Sequence, residues 1–390
     1  MKILFTVENY YPMMSGVPNV VKYLAEDLAN KGNEVTVVTR HIDGCKDEEV
    51  LNSVKIVRKN IYYTKTKGFG GDTTDYIEFV KNFECDVIIF QCSQCITTDL
   101  LLPHLEKIDK IKLFHSHGFS GLTLKPIKIC SNIKHTLGNS YNWIRWNLYY
   151  NIKFKKYVKQ FDATICLSEV DSSKEYLEKN SNKIYILSNA ADDMFFDSTI
   201  MESKIDKYTN LINKKYIISI ANYQEYKNQI GILNEYYRAN LENYDLVFIG
   251  SEKNEYYKSL LKEYKKLKNI YGEKPVHFLT NVERCDIPQI LRDAKLYLVG
   301  SSFEEFSISL IEAMAVGVPF VSTNVGNACI LPGGITIDKI SDMSNSINIL
   351  LNDNLKYEQL KNNGMIYSKN FCKIETVTNR LIDIINECKK

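Results

Sequence analysis

Ser302-Phe303-Glu304-Glu305-Phe306-Ser307-Ile308-Ser309-Leu310-Ile311-Glu312-Ala313-Met314-Ala315-Val316-Gly317-Val318-Pro319 is the stretch from which the rest of this chain can be read. Leu310, Ile311, Met314 and Ala315 recur at helical spacing, and Ser307 or Ser309 stands where a helix N-cap is expected. Gly317 stops that helix and Pro319 opens a strand. Two carboxylates, Glu304 and Glu312, therefore sit eight positions apart across a loop-to-helix junction. The free N–H groups and positive dipole end of a helix start suit a phosphate. A carboxylate on either side suits the hydroxyls of a sugar and of a ribose, so the stretch outlines a sugar-nucleotide site.

Working outward, short apolar runs alternate with amphipathic segments. Ile3–Val7, Glu34–Thr39, Lys55–Val57, Val87–Phe90, Lys112–Phe114, Ala163–Leu167 and Lys183–Leu187 read as strands, with helical patterns such as Val17–Lys31 and Thr74–Phe83 between them. A second set runs Tyr216–Ile220, Asp245–Ile249, Val276–Leu279, Leu296–Val299, Phe320–Ser322 and Gly334–Ile337. The alternation predicts an α/β chain of two doubly wound, Rossmann-like domains with parallel sheets, facing across a cleft. The polar stretch 192–213 reads as the linker, giving domains over 1–190 and 191–370 and a C-terminal helix over 371–390 that packs back toward the first.

The 390 residues exceed a usual single core, and 45% hydrophobic with 25% charged residues is a soluble globular composition. A net charge of +2 does not suggest a nucleic-acid binder, and no apolar run approaches the roughly 20 residues of a membrane helix. Met1–Val7 reads as a first strand rather than a signal peptide, which places the protein in the cytoplasm with its ten cysteines reduced. Cys92-Ser93-Gln94-Cys95 is a C-x-x-C, but no second pair follows at zinc spacing, so these cysteines read as structural.

Four other places carry chemistry-bearing residues. Gly16, in Pro12-Met13-Met14-Ser15-Gly16-Val17-Pro18, sits at a strand-to-helix turn where backbone can approach a ligand. His115 and His117 follow a strand and precede Gly118; the pair can bind a metal, act as acid or base, or hydrogen-bond a turn. Asn222 and Lys227 follow the strand that opens the second half, and Lys227 can neutralise a diphosphate. Ser188-Asn189-Ala190-Ala191-Asp192 reads as a turn near the linker.

Together and in this order, these pieces resemble the family 4 retaining glycosyltransferases (glycosyl transferases group 1), which have the GT-B fold. Tyr11-Pro12 with Gly16 resembles the family's glycine loop, with Ser15 in place of its first Gly. His117-Gly118 resembles the His of the acceptor-side wall, with His115 the alternative. Asn189-Ala190-Ala191-Asp192 is similar to the family's Asn-Gly-Val-Asp, and Lys227 to its loop lysine. Glu304 and Glu312, with Ala313-Met314-Ala315, Gly317 and Pro319, match its two-glutamate motif. Asn222 stands where the family has Arg, and Glu305 where it has Gly.

The resemblance implies transfer of a sugar, with retention and without a metal, from a nucleotide-sugar donor, a UDP-sugar, to a glycan or lipid-linked acceptor in cell-surface polysaccharide or glycolipid synthesis. No cofactor is implied, since the nucleotide-sugar is a substrate. It casts His117, Glu304 and Lys227 as catalytic. Donor binding falls to Gly16, Asn222, Lys227, Glu304, Phe306, Ser307, Ile308, Ser309, Leu310 and Glu312. Within these, Glu312 would bind the ribose, Glu304 the donor sugar and Lys227 the departing diphosphate. From Lys125 to Lys159 there are eight Lys/Arg and no acidic residue, interleaved with Trp143, Trp146, Tyr149, Tyr150, Phe154 and Tyr157. That is either a packing helix with a basic face or a surface for anionic lipid, which would make the protein peripheral at the inner face of the membrane. The rivals are an epimerase or phosphorylase of the same fold, a non-catalytic subunit that kept the fold, and a dinucleotide oxidoreductase. The last is disfavoured because the first strand is not followed by G-x-G-x-x-G.

Overall fold

A computed structural model describes residues 1–13, 16–64, 66, 68–119, 122, 133–197, 208, 211, 214–241 and 243–389, with backbone alone over 133–139. The chain divides into two compact units, Met1–Asn189 with Ile374–Lys390, and Ala190–Lys373. Most of the expected linker, and Ser15 of the glycine loop, lie outside the described residues.

The first unit runs β1 (Lys2–Thr6), α1 (Val17–Asn30), β2 (Glu34–Arg40), β3 (Glu48–Leu51), β4 (Val54–Lys59), β5 (Ile61–Thr64), β6 (Gly68–Gly71), α2 (Thr73–Asn82), β7 (Val87–Gln91), α3 (Ile96–Asp99), β8 (Ile111–His115), α4 (Ile133–Leu148), β9 (Ala163–Cys166), α5 (Lys174–Asn180) and β10 (Ile184–Ile186). Its sheet has the order β10-β9-β8-β7-β1-β2-β4-β3, parallel except for the edge strand β3. β1 is buried between β2 and β7, with Ile3 opposite both Val35 and Val87. That explains its near-continuous apolar sequence, Ile3-Leu4-Phe5. α1 places Val20, Val21, Leu24, Ala25 and Leu28 on its buried face at 3.6-residue spacing.

The second unit runs β11 (Tyr216–Ile220), α6 (Gln229–Arg238), β12 (Asp245–Gly250), α7 (Glu255–Tyr271), β13 (Val276–Thr280), α8 (Ile287–Asp293), β14 (Leu296–Val299), α9 (Ile308–Ala315), β15 (Phe320–Thr323), β16 (Gly334–Ile337), α10 (Met343–Asn352) and α11 (Asn354–Phe371). All of its sheet, β13-β12-β11-β14-β15-β16, is parallel. Two apolar cores lie in this unit, one containing Ile218, Tyr297, Leu310 and Met314, the other Ile217, Leu233, Phe248 and Ile347. A final helix, α12 (Ile374–Cys388), belongs to the first unit, burying Leu381, Ile384 and Ile385 and packing on α1.

Both units are therefore parallel α/β layers, and each presents the loops that follow its strands along one edge of its sheet. A two-stranded antiparallel hairpin, β5–β6, was not expected. Its second strand is Gly68-Phe69-Gly70-Gly71, which lacks the β-branched signature of a strand. Gly71 is required there, because its φ is +83° and a Cβ would lie 2.0 Å from the Asn60 carbonyl oxygen.

Candidate functional site

The expected carboxylates meet in the second unit at the carboxyl edge of β14. The loop after this strand carries Glu304, and α9 carries Glu312 one turn before its end. Lys227 ends a tight turn after β11, where Asn228 takes a left-handed conformation (φ 53°) and accepts a bond from the Gly231 N–H (3.1 Å), starting α6. This turn aims the Lys227 ammonium at Glu304 Oε1, 2.5 Å away, and the same oxygen accepts from the Ser301 hydroxyl (2.8 Å). Both partners are mostly shielded, with side chains 20% and 14% exposed, so solvent screens the pair little.

Glu312 is 5% exposed and takes both guanidinium arms of Arg284, from the turn after β13. Burial pushes the Glu312 carboxyl above the usual range, and the Arg284 charge pulls it back. Arg284 also lies over the Phe195 ring, 4.8 Å from its centre. Phe195 closes a turn capped by Asp192, whose carboxylate accepts from the Met194 N–H (3.2 Å). Asp192 thus helps to hold Arg284, and Ala191 is itself bridged to Lys373.

Between the carboxylates, α9 begins at Ile308, and Ser307 occupies the N-cap position. The expected side-chain cap is not made. The Ser307 hydroxyl lies 3.1 Å from that of Ser309, while the Ser307 N–H donates to Asn327 Oδ1 (2.8 Å). Leu310 is fully buried, and Phe306 and Ile308 pack at the margin of the core, so these three shape the wall rather than offering side-chain donors. Asn327 and Gly326 follow β15 and were not singled out in the sequence; the signal was only a Val-Gly-Asn turn after a strand. Gly326 has φ +53°, and a Cβ there would meet the carbonyl oxygens of Glu304 and Glu305 at 3.0 Å. Gly326→Ala should therefore displace the Glu304 loop. We expect a loss of about 1–2 kcal/mol in urea unfolding, with weaker nucleotide-sugar binding in the same protein. Glu305 is not among the described non-glycine residues with positive φ, so the backbone there does not require the glycine of the family pattern.

Asn222, just after β11, lines a cavity of about 420 Å³ along the edges of β11, β12 and β13, together with Gly250, Glu252, Asn281 and Arg284. The Asn222 carbonyl accepts from Gln229 Nε2 (3.0 Å). Glu283, Cys285 and Asp286, neighbours of Arg284, lie close enough together to hold a cation, but Asp286 already accepts from the Tyr208 hydroxyl (2.9 Å).

In the first unit, His115 ends β8 and His117 follows in a left-handed conformation (φ 54°), which brings the two rings to 3.9 Å. His117 Nε2 lies 2.6 Å from Gln91 Oε1. With that oxygen as acceptor, the ring proton sits on Nε2 and Nδ1 keeps its lone pair. Burial lowers the His115 pKa to about 3 and that of His117 well below the usual value, the latter also through its neighbour. Both imidazoles are therefore neutral when folded but protonate below pH 6.5 when unfolded. Their contribution to stability is complete above pH 6.5 and is lost as the pH falls. For His115 we expect roughly 2 kcal/mol between pH 7 and 5, with a further loss of the same sign from His117, measured by denaturant titration and absent from the His115→Gln/His117→Gln variant.

Gly16 precedes α1 with φ 46°, a conformation glycine adopts without strain, and Pro18 sits in the first turn. The Cys95 thiol, raised to about 11 by burial, donates to the Gln91 carbonyl (3.2 Å), as a structural cysteine would. The aromatic residues of 125–159 need correction. Tyr150 and Phe154 are buried, and Trp146, Tyr149 and Tyr157 pack against the core, so they are not a surface array. Residues 125–132 lie outside the described part.

Residues 14–194 match the family described as Glycosyltransferase Family 4, and residues 201–365 match Glycosyl transferases group 1. No curated protein matches the chain in sequence. Among solved structures it is similar to sucrose-phosphate synthase from Thermosynechococcus elongatus, at 14% identity and TM-score 0.73, covering 99% of this chain and 98% of that one. It is also similar to Anabaena HepE in complex with UDP and glucose, at 16% identity and TM-score 0.69, covering 99% and 100%. The alpha,alpha-trehalose 6-phosphate synthase of Burkholderia multivorans follows, at 12% identity and TM-score 0.67, covering 99% and 96%.

Proposed function

Since the chain is a glycosyltransferase of the GT-B fold, we propose that it moves a sugar from a UDP-sugar, with retention and without a metal, to a glycan or lipid-linked acceptor. The observation that carries this reading is the Lys227–Glu304 pair beside the Glu312 helix. A nucleoside-diphosphate sugar needs a cation at its diphosphate, an acceptor for sugar hydroxyls next to that cation, and a second acceptor at the ribose. Lys227, Glu304 and Glu312 supply these in that order. The bond to be broken joins the sugar to the β-phosphate, so it lies where a sugar-binding carboxylate and a phosphate-binding cation adjoin. Complexes of the similar Anabaena protein with UDP and with UDP-glucose favour uridine as the base.

In this reading, charge developing on the departing UDP is stabilised by Lys227 and by the N–H groups at the start of α9. Attack from the same face as the leaving group gives retention without a protein nucleophile. On the first unit we assign the neutral His117 to the acceptor side of the reaction; it does not act as a titrating acid. A panel of UDP-, GDP- and ADP-sugars in thermal-shift and UDP-release assays tests the reading. Stabilisation by no member, or conversion of a nucleotide sugar without an acceptor, would oppose it, the second in favour of an epimerase.

Among the described residues, no helix is long and apolar enough to cross a membrane. We place the protein peripherally, on anionic lipid at the cytoplasmic face. Tyr141, Ile144 and Leu148 of α4 are exposed at helical intervals, with Ile152 just beyond them and Arg145, Lys155 and Lys156 alongside. Co-sedimentation with phosphatidylglycerol vesicles should exceed that with phosphatidylcholine severalfold and should fall in Ile144→Glu/Leu148→Glu. Equal binding to both vesicle types would remove the lipid role.

A further inference from the structure

Both cations of the second unit's site are engaged by carboxylates. Lys227 is held by Glu304, and Arg284 by Glu312. The two carboxylates are the groups that a donor's sugar and ribose hydroxyls would claim. The cavity lined by Asn222 and Arg284 contains one cationic side chain among its lining residues, Arg284; Asn222 is neutral and Glu252 is acidic. A nucleoside diphosphate carries close to three negative charges at neutral pH, more than one lysine and a helix start can balance in a partly desolvated site.

We propose that Arg284 is the second diphosphate-binding cation of this protein, held on Glu312 until a nucleotide's ribose displaces it. The inference rests on the donor site described above. Three features suit Arg284 to the exchange. Its side chain is 52% exposed, whereas that of Glu312 is 7% exposed, so the arginine is the partner that can move. The Phe195 ring supports the guanidinium face and leaves the fork of N–H donors free to turn. Asn222 puts no charge at the edge of β11, so a phosphate lying there is met from the β13 side by Arg284. Donor binding is then an exchange of partners: hydroxyls replace the cations on the two carboxylates, and phosphate oxygens replace the carboxylates on the two cations. The number of cation–anion pairs stays at two, and each carboxylate exchanges its cation for hydrogen bonds from hydroxyls.

The test is calorimetric titration of the wild type, Arg284→Gln and Arg284→Lys with UDP and with uridine, after thermal unfolding shows that the variants fold. Arg284→Gln should bind UDP at least tenfold more weakly and uridine as well as or better than the wild type, because Glu312 is freed for the ribose. Arg284→Lys should keep part of the UDP affinity. Adding Asn222→Arg to Arg284→Gln should recover UDP binding by returning a cation to the same cavity. Unchanged UDP affinity in Arg284→Gln, or equal losses for UDP and uridine, would overturn the proposal. If wild-type protein binds neither UDP nor uridine, the donor-site reading itself fails, which is a different result from a wild type that binds UDP without needing Arg284.

Discussion

Glu312→Ala should bind UDP and UDP-sugars at least about 100-fold more weakly and lose measurable transfer. A buried carboxylate accepting two ribose hydroxyls contributes roughly 1.5–3 kcal/mol per charge-assisted bond, and both bonds vanish together. The protein should still fold. Glu312 lies 5% exposed on α9, so its removal also relieves a desolvated charge, and half-exposed Arg284 can return to water. Unfolding stability should therefore change by no more than about 1 kcal/mol, which separates loss of a ligand group from loss of structure. Glu312→Gln keeps the shape and part of the hydrogen bonding and should fall between alanine and the wild type. Titration calorimetry with UDP, paired with denaturant unfolding, measures both quantities. Wild-type UDP affinity in Glu312→Ala would remove this residue from the site.

Lys227→Ala should act mainly on turnover. The lysine neutralises charge that grows on the β-phosphate as the sugar leaves, and loss of one such group costs on the order of 10²–10³ in kcat. It also leaves Glu304 held by the Ser301 hydroxyl, so the carboxylate that orients the sugar is repelled by the diphosphate next to it. Sugar transfer should fall further than UDP-sugar binding, because the charge that grows on the β-phosphate is absent from the bound donor. Lys227→Arg retains the charge but brings a larger, planar head into a space of 20 Å³ beside Ser301 and Ser309, and should recover only part of the rate. Steady-state kinetics against UDP-sugar affinity, measured without acceptor, tests the distinction. Equal losses in binding and turnover would make Lys227 a ground-state binding group only.

The strands of both sheets were legible because they are buried on two faces. Runs such as Val87-Ile88-Ile89-Phe90 and Leu246-Val247-Phe248-Ile249 admit little else at that length between turn residues. The edge strand β3, Glu48-Glu49-Val50-Leu51, was not legible, because an exposed antiparallel edge needs no apolar face. The glutamates and Lys227 could be found because they belong to a spaced motif. Arg284 could not: it is one arginine in a polar loop, and its importance comes from β13 and α9 placing it on Glu312. Asn327 was missed for a similar reason, since its partner Ser307 is twenty positions away. The aromatic residues of 141–159 misled because periodicity cannot say which side of a helix faces a core. Tyr150 and Phe154 face inward, while Tyr141 stands in the exposed stripe with Ile144, Leu148 and Ile152.

The carboxyl edge of the second unit's sheet is the place we assign to a nucleoside-diphosphate sugar. Calorimetric titration of wild-type protein with UDP at moderate salt tests it most directly. Saturable binding of one UDP per chain is expected, abolished by Glu312→Ala together with Lys227→Ala. Absence of binding, or binding that survives the double substitution, would contradict it.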